Sequence, residues 1–175
     1  IKYGSLRNNI IGLEAILGDG TLYSKLKDIK KDNTGYDLNQ LLIGSEGTLG
    51  IITAACIKLY PLALDKKVIF ASFKNIKKVL DFYSNTKEKF NDMLTSFELI
   101  NSNSMELVLS ENKEFKKILQ RNNYYCLIEI SNFLKNFNFN DFLIQNIADA
   151  LKYADEIILS KSDSENTKLW QYREM

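Results

Sequence analysis

The sequence predicts an α+β fold built on antiparallel sheets, and two observations lead to this prediction. Ile10–Leu17 is apolar and β-branched, and Gly18-Asp19-Gly20 then leads into Thr21–Tyr23. An Asp-Gly pair between two such runs is typical of a hairpin, because these residues accept the positive φ of its turn. After Pro61 the predicted elements follow the order strand, helix, strand, strand, helix, strand. That order is typical of a split βαβ unit, an antiparallel sheet with helices on one face.

The residues before Pro61 are predicted to form a small unit of strands with one short helix. Lys25–Tyr36 is polar and basic after the hairpin and predicts a loop. Asp37–Ile43 fits a short helix with its first residue as the cap. Gly44–Gly50 is rich in glycine, and Ile51–Leu59 predicts another strand. Pro61 is the only proline and marks the predicted domain boundary.

After Pro61 we expect alternating strands and helices. The predicted strands are Val68–Phe73, Thr95–Ile100, Tyr124–Ser131 and Glu156–Leu159. The first of them is apolar on both faces, as a central strand is. A further helix, Ser104–Leu109, lies in a stretch at 101–121 that we interpret as an insertion.

Helical spacing and capping residues predict three more helices. Asn75 is placed to cap the first. The predicted apolar stripes of the first two are Ile76, Val79, Leu80 and Tyr83, and Leu143, Ile147, Leu151 and Ala154. Ser162 and Glu165 form a capping box that opens the third helix, which carries Trp170 and Arg173.

Composition excludes several classes of function. The 175 residues carry a net charge of +1, which gives no basic footprint for nucleic acid. No apolar run approaches the ~18 residues of a membrane span. The chain has no histidine, which excludes histidine metal sites, Ser-His-Asp triads and Cys-His dyads within it. Cys56 and Cys126 are predicted to be buried free thiols in a reducing compartment.

The candidate binding segment contains Gly44, Gly47 and Gly50 at intervals of three. Because position 46 is Glu and no Gly-Lys-Ser/Thr follows, the pattern is neither a dinucleotide fingerprint nor a P-loop. Glycines at this density let backbone N–H groups approach a large flat or phosphorylated ligand. Thr48 adds a hydroxyl and Glu46 an acceptor. Glycine spacing alone favours a tight turn between a helix and a strand, because glycine-rich turns are common.

Longer strings carry a resemblance to a known family. They are K-D-N-T-G-Y-D-L at 31–38 and G-S-E-G-T-L-G-I-I-T at 44–53, with Y-G-S-L-R, S-F-E-L-I-N and L-W-Q-Y-R-E at 3–7, 96–101 and 169–174. The chain resembles FAD-linked oxidases of the vanillyl-alcohol-oxidase type. Within them it is most similar to the D-2-hydroxyacid dehydrogenases, which include D-lactate, glycolate and D-2-hydroxyglutarate enzymes, and the string at 31–38 favours the 2-hydroxyglutarate group.

The resemblance implies two domains. Residues 1–61 would be the second half of a PCMH-type FAD-binding domain, and residues 62–175 most of an antiparallel-sheet, ferredoxin-like cap domain for the substrate. The chain opens with Ile1 and stops within a predicted helix. We therefore expect it to be a piece of a longer protein.

The resemblance also implies site residues. Tyr3 and Gly4 would lie near the flavin, and the residues implied to contact FAD are Glu46, Gly47, Thr48, Leu49, Gly50, Ile51 and Ile52, with Asn33 and Tyr36. Arg173, in the family's W-x-x-R-E, would bind a substrate carboxylate, since a guanidinium pairs with a carboxylate through two parallel hydrogen bonds. Trp170 is predicted to be cap core. Glu98 matches a family position and is predicted to be a solvated or paired carboxylate.

The implied activity is that of a flavoprotein oxidoreductase, which oxidises D-2-hydroxyglutarate or a similar acid to the 2-oxo acid with hydride transfer to flavin N5. The catalytic base and the ligands of a divalent metal, expected to be zinc, would lie outside this chain, which alone is expected to be inactive. The alternatives are a D-lactate or glycolate dehydrogenase and a non-catalytic remnant that keeps only the fold.

The resemblance implies further partners and a location for the whole protein. A quinone or an electron-transfer flavoprotein would accept the electrons, and a homodimer is one expected assembly. If the protein is bacterial, we expect it to lie in the cytoplasm or to be peripheral at the inner membrane. If it is eukaryotic, we expect it in mitochondria.

Overall fold

The computed structural model describes residues 2–27, 29, 31–111 and 118–174. The predicted loop at 25–36 and the predicted insertion at 101–121 therefore lie partly outside the described residues. The chain divides into two compact units. One is Tyr3–Tyr60, and the other takes in Lys2 and the described residues from Pro61 onward.

The unit Tyr3–Tyr60 is a three-stranded antiparallel sheet with two helices of one turn each. Its elements are α1 (Leu6–Asn9), β1 (Ile10–Leu17), β2 (Leu22–Lys25), α2 (Asn39–Leu42) and β3 (Gly50–Ile57), and the strands lie in the order β2-β1-β3. The N–H of Gly20 donates to the carbonyl of Leu17 at 2.9 Å and closes the hairpin that Gly18-Asp19-Gly20 predicts.

The core of this unit is small. Leu13 and Ala15 of β1 are buried against Leu42 and Ile43, at the end of α2. The predicted position of the α2 cap is wrong by one residue, because the N-cap is Leu38. The Asp37 carboxylate instead accepts a hydrogen bond from the Asn39 N–H at 3.2 Å and forms the turn that enters the helix.

The described residues of the second unit form a four-stranded antiparallel sheet with four α-helices. Its elements are β4 (Asp65–Phe73), α3 (Ile76–Phe90), a 3₁₀ turn (Asn91–Met93), β5 (Leu94–Asn101), α4 (Ser102–Glu111), β6 (Tyr124–Asn132), α5 (Phe139–Ala150), β7 (Glu156–Leu159) and α6 (Asp163–Glu174). The strand order β5-β6-β4-β7 is that of a ferredoxin-like sheet, which confirms the predicted α+β class. Within the described residues, no helix combines the length and the apolar content needed to cross a bilayer.

Helices cover both faces of this sheet, so the prediction of helices on one face is wrong. Phe73 and Cys126 lie on the face covered by α3 and α5, whereas Phe70 and Leu127 lie on the face with α4 and α6. The cause is the run from Val68 to Phe73, where every side chain is buried. A strand that is apolar on both faces needs a cover on each.

The predicted helix stripes are partly wrong for two different reasons. The buried residues of α3 are Val79, Phe82, Thr86 and Phe90, so its packed face is set by the large aromatic residues, and Ile76 and Leu80 are exposed. In α5, Leu143 and Ile147 are buried as predicted. That helix ends at Ala150, and Leu151 beyond it is exposed.

The predicted Ser162–Glu165 cap of α6 is confirmed, although Glu165 reaches back to the N–H of Lys161 and not to that of Ser162. The Glu165 N–H donates to Ser162 Oγ at 3.3 Å, and Glu165 Oε2 accepts from the Lys161 N–H at 2.7 Å. Asn166 then fastens the first turn to β4, because its Oδ1 accepts from the Val68 N–H and its Nδ2 donates to the Lys66 carbonyl. The start of α6 is therefore fixed on the sheet.

The two free cysteines should differ in reactivity. Cys126 is fully buried and desolvation raises the pKa of its thiol to about 12, whereas Cys56 is partly exposed. Because the thiolate is the reactive form, we expect one fast-reacting thiol in the native chain with a disulfide-exchange reagent. Cys56→Ser should abolish the fast phase and Cys126→Ser should leave it. Equal rates at both thiols in native buffer would contradict the burial of Cys126.

Asp155 should make the stability of the second unit depend on pH. Burial raises the pKa of Asp155, but hydrogen bonds from Lys78, Asn122 and the Lys74 N–H outweigh it and hold the pKa below its ordinary value. A lowered pKa means that the carboxylate stabilises the fold above the unfolded pKa of about 4, and that this contribution is lost as pH falls through the folded value. Asp155→Asn should therefore cost about 1–2 kcal/mol at pH 7 and progressively less below about pH 4.

The measurement is urea unfolding monitored through the fluorescence of Trp170, which is the single tryptophan of the chain. Asp149→Asn is the matched control, because its carboxylate makes a single ion pair with Lys89 and is mostly exposed. It should change the free energy of unfolding by under about 0.5 kcal/mol. A loss for Asp155→Asn that is the same at every pH would contradict the assignment.

Candidate functional site

The glycine-rich segment forms a tight turn between α2 and β3. The N–H and the hydroxyl of Thr48 both donate to the Ser45 carbonyl, at 3.0 and 2.6 Å. Gly44 and Gly47 have φ of 82° and 81°, and Glu46 between them has φ of 52°. Backbone in this left-handed region is rare for a residue with a side chain, and such outliers collect at ligand sites.

Arg7 fixes the start of this turn. Its Nη1 donates to the Gln40 carbonyl at 2.8 Å, and its Nη2 donates to the carbonyl of Ile43. A Cβ at Gly44 would lie 2.7 Å from Arg7 Nη2, so the guanidinium occupies the space beside that glycine. Sequence reasoning missed Arg7 as a supporting residue. Its only signal is its place in the Y-G-S-L-R string.

The turn and the first residues of β3 present backbone and apolar side chains to solvent. A Cβ at Gly47 would meet no atom within 4 Å, so the peptide there is open to close approach. Leu49, Ile51 and Ile52 beside it are all exposed, Ile51 by 69%. The Glu46 side chain is also exposed and makes no ion pair with any residue in the described ranges. This surface fits one side of a flat ligand with polar groups at its edge.

Asn33 and Tyr36 are both exposed, in the segment that precedes α2. Tyr36 is 91% exposed and lines a shallow cavity of about 240 Å³ with Asp32, Gly35 and others. Among the described residues, none from 44–52 lines that cavity. Tyr3 packs its ring on Tyr60, with 4.7 Å between the ring centroids. The cavity that Tyr36 lines therefore does not include the glycine turn.

Arg173 lies in the last turn of α6 and forms an ion pair with Glu98 of β5. The distance from Arg173 Nε to Glu98 Oε2 is 3.2 Å, and the two side chains are 52% and 32% exposed. Trp170, one turn earlier, packs partly buried against the core, and its Nε1 donates to Glu129 Oε2 at 3.3 Å. Tyr172 between them is buried on Phe70, and burial raises the pKa of its phenol. The Tyr172 hydroxyl is therefore neutral at physiological pH.

An open cavity lies elsewhere on the same face of the second unit. It encloses about 910 Å³ and is lined by side chains of β4, β6, α4 and α6, among them Phe70, Met105, Tyr125 and Tyr172. Neither Glu98 nor Arg173 is among its described lining residues. No group of three or more Cys, Asp or Glu side chains in the described part of the chain is arranged to hold a metal ion.

Comparison with known proteins defines the class to which this chain belongs. Residues 63–175 match the family described as FAD linked oxidases, C-terminal domain. The chain therefore belongs to the FAD-linked oxidases, a family whose cofactor is FAD. By structure it is similar to alkyldihydroxyacetonephosphate synthase, with a TM-score of 0.64 and 16% identity over 98% of this chain and 34% of that one.

Two curated relatives are more similar in sequence. The mitochondrial D-2-hydroxyglutarate dehydrogenase of Rattus norvegicus is 39% identical over 131 residues, 75% of this chain and 24% of the relative. A putative mitochondrial D-lactate dehydrogenase of Schizosaccharomyces pombe is 31% identical over 176 residues, 99% of this chain and 33% of the relative. The chain thus spans a third or less of the length of these two relatives.

The two glycines that flank Thr48 and Leu49 should respond differently to a methyl group. Gly47→Ala adds no contact and only places alanine in the left-handed region, which costs about 1 kcal/mol. Gly50→Ala would put a Cβ 2.7 Å from the Ile16 carbonyl oxygen across the β1–β3 pair, and should cost about 2–3 kcal/mol.

Amide hydrogen exchange of Leu13 and Ala15 measures this loss, because both residues belong to the core of the same unit. Gly18→Ala is the control, since a Cβ there meets no atom within 4 Å and its φ is not positive. A Gly50→Ala variant as stable as Gly47→Ala would contradict the close approach of β1 to β3.

Proposed function

We propose that this chain is part of an FAD-dependent D-2-hydroxyacid dehydrogenase, an oxidoreductase with D-2-hydroxyglutarate as its preferred substrate. In this proposal residues 1–61 contribute the second half of the FAD-binding domain, and residues 62–175 most of the substrate domain. The similarity to the rat D-2-hydroxyglutarate dehydrogenase supports the choice of substrate. The string K-D-N-T-G-Y-D-L at 31–38 also supports it.

The observation that carries the FAD assignment is the open backbone at Gly47 beside exposed apolar side chains. Backbone N–H groups without a neighbouring Cβ can reach the phosphates and the ring edge of a dinucleotide. The proposed contacts run from Glu46 through Gly47, Thr48, Leu49, Gly50 and Ile51 to Ile52, and Asn33 and Tyr36 complete the proposed set. Leu49 and Ile51 would cover an apolar ring face, and Glu46 would accept from a ring N–H or a ribityl hydroxyl. FAD held there would supply its N5 as the acceptor for hydride from the substrate.

The proposed substrate residue is Arg173. A guanidinium that keeps its charge at every physiological pH binds a carboxylate through two parallel hydrogen bonds. Arg173 is half exposed, and its helix is fastened to β4 through Asn166, so the charged group is both accessible and anchored. It would hold one carboxylate of the hydroxy acid and thereby orient the C2–H bond.

The remaining parts of the reaction fall to residues that this chain does not supply. With no histidine in 175 residues, the base that removes the hydroxyl proton and the ligands of a divalent metal, proposed to be zinc, would come from other segments. We further propose a quinone or an electron-transfer flavoprotein as the electron acceptor, and a homodimer as the assembly. The names of the relatives favour mitochondria in a eukaryote, and a bacterial protein would be cytoplasmic or peripheral at the inner membrane.

Two alternatives have their own support. The similarity to the putative D-lactate dehydrogenase of Schizosaccharomyces pombe extends over 99% of this chain and favours a D-lactate or glycolate dehydrogenase. The lack of histidine favours a remnant that keeps the fold and catalyses nothing. Hydroxyglutarate has two carboxylates and needs a cationic partner for each of them, whereas lactate has one carboxylate and needs one such partner. The number of cationic residues at the substrate site therefore distinguishes the two enzymes.

The chain should bind FAD through the turn at Gly47. We expect the visible flavin band to shift on titration with the chain, and the band to stay with the protein through gel filtration. Gly47→Asn should weaken this binding about tenfold, since asparagine accepts the left-handed backbone but fills the space that the ligand needs. Gly18→Asn is the control in the same unit and should bind as the unaltered chain does.

The outcomes separate the alternatives. Equal binding by the two variants would show that FAD does not approach Gly47. A folded chain that leaves the flavin spectrum unchanged would favour the remnant over the dehydrogenase.

A further inference from the structure

Two carboxylates on neighbouring strands hold two positions of α6. Glu129 of β6 accepts from the Trp170 indole, and Glu98 of β5 accepts from Arg173 Nε. Trp170 and Arg173 are three residues apart, so they project from the same side of the helix. Glu129 and Glu98 lie on the same face of the paired strands β6 and β5, where Ser96 is opposite Glu129 and Leu127 is opposite Glu98. The two hydrogen bonds therefore fix both the rotation of α6 and the direction of the arginine.

The geometry at Arg173 leaves open the edge of the guanidinium that carries Nη1 and Nη2. Glu98 engages Nε alone, at 3.2 Å. Nη1 and Nη2 make no hydrogen bond to any residue that the structure describes. A planar guanidinium presents its two Nη groups as the fork that pairs end-on with a carboxylate. An acceptor at Nε therefore aims this fork without occupying it.

Glu98 is itself held in place. It belongs to β5, which is paired with β6 along its length, and the Ser96 hydroxyl donates to its Oε1 at 3.4 Å. Only a third of its side chain is exposed. An exposed ion pair between two flexible side chains contributes little to stability. A carboxylate that is held on a strand of the sheet instead restricts the rotamers of the arginine that it binds.

We propose that Glu98 is a positioning residue, which holds Arg173 Nε so that the two Nη groups point at the carboxylate of the substrate. The inference rests on the proposed substrate role of Arg173. Its consequence is specific: the hydrogen bond to Nε matters, and the negative charge of Glu98 does not. A glutamine at 98 keeps an acceptor at the same reach, and an alanine removes it.

The first measurement follows the hydrogen bond itself. The chain has three arginines, Arg7, Arg121 and Arg173, so an NMR spectrum of the arginine Nε–H groups is simple to assign. The Arg173 Nε–H should exchange slowly with water in the unaltered chain and in Glu98→Gln, and rapidly in Glu98→Ala. The matched control is Glu106→Ala. This change removes the exposed ion pair between Arg121 Nη2 and Glu106 Oε1, which are 3.8 Å apart. It should leave the Arg173 signal unchanged.

The second measurement is a titration of the same samples with D-2-hydroxyglutarate, followed at the Arg173 Nε–H and at the single indole N–H of Trp170. Glu98→Ala should weaken binding about five- to tenfold, the value of one ordinary hydrogen bond, because the Glu98 side chain is partly exposed. Glu98→Gln should stay within about threefold of the unaltered chain. A titration with D-lactate in parallel distinguishes a dicarboxylate site from a monocarboxylate one.

Each other outcome rejects a defined part of the proposal. If Glu98→Ala binds as tightly as the unaltered chain or more tightly, Glu98 only competes with the substrate by charge and the positioning role is wrong. If Glu98→Gln is as weak as Glu98→Ala, the charge acts and the hydrogen bond does not. If the Nε–H depends on Glu98 but no hydroxy acid moves it in the unaltered chain, the substrate role of Arg173 fails, and with it the inference.

Discussion

The second unit depends on one constraint, the burial of β4 on both of its faces. Six consecutive side chains from Val68 to Phe73 are withdrawn from water. Each face of the strand then needs its own layer, and α3 and α5 cover one while α4 and α6 cover the other. The position of α6 follows from this requirement, because Leu169 and Tyr172 close the second face. Arg173 is therefore brought beside β5 by the packing of its neighbours in the helix.

Local signals were enough to predict the elements and the class of the fold. The hairpin at Gly18-Asp19-Gly20, the Asn75 cap and the Ser162–Glu165 capping box depend on residues at most four apart, and each is found where it was predicted. The order of strands and helices then admits few sheet topologies. The buried faces of the helices were predicted less accurately. In α3, the packing of Phe82 and Phe90 against the sheet sets the buried face, and the residues of its first turn do not.

Pairs that are distant in sequence were not predictable in the same way. Arg7 reaches the Ile43 carbonyl across 36 residues, and Arg173 reaches Glu98 across 75. No periodicity links such positions, since their contact depends on how whole elements pack. The strings around them are visible in the sequence, but a string does not say which atom accepts from which. Glu98 therefore had a match to a family position and no role until its partner was known.

The two candidate sites are built from different parts of the chain, and this difference decides what each can tolerate. The turn at Ser45–Thr48 offers peptide groups and open space, so a side chain added at Gly47 obstructs it, whereas exchanges among the exposed apolar residues of β3 leave that space open. Arg173 offers one side chain whose direction depends on Glu98 and whose helix depends on Asn166 and Glu129. A cofactor site of the first kind withstands variation in side chains as long as its glycines remain. A site of the second kind withstands it only where the supporting hydrogen-bond acceptors are kept, so the direction of the Arg173 guanidinium is the property that distant changes in the sheet would alter first.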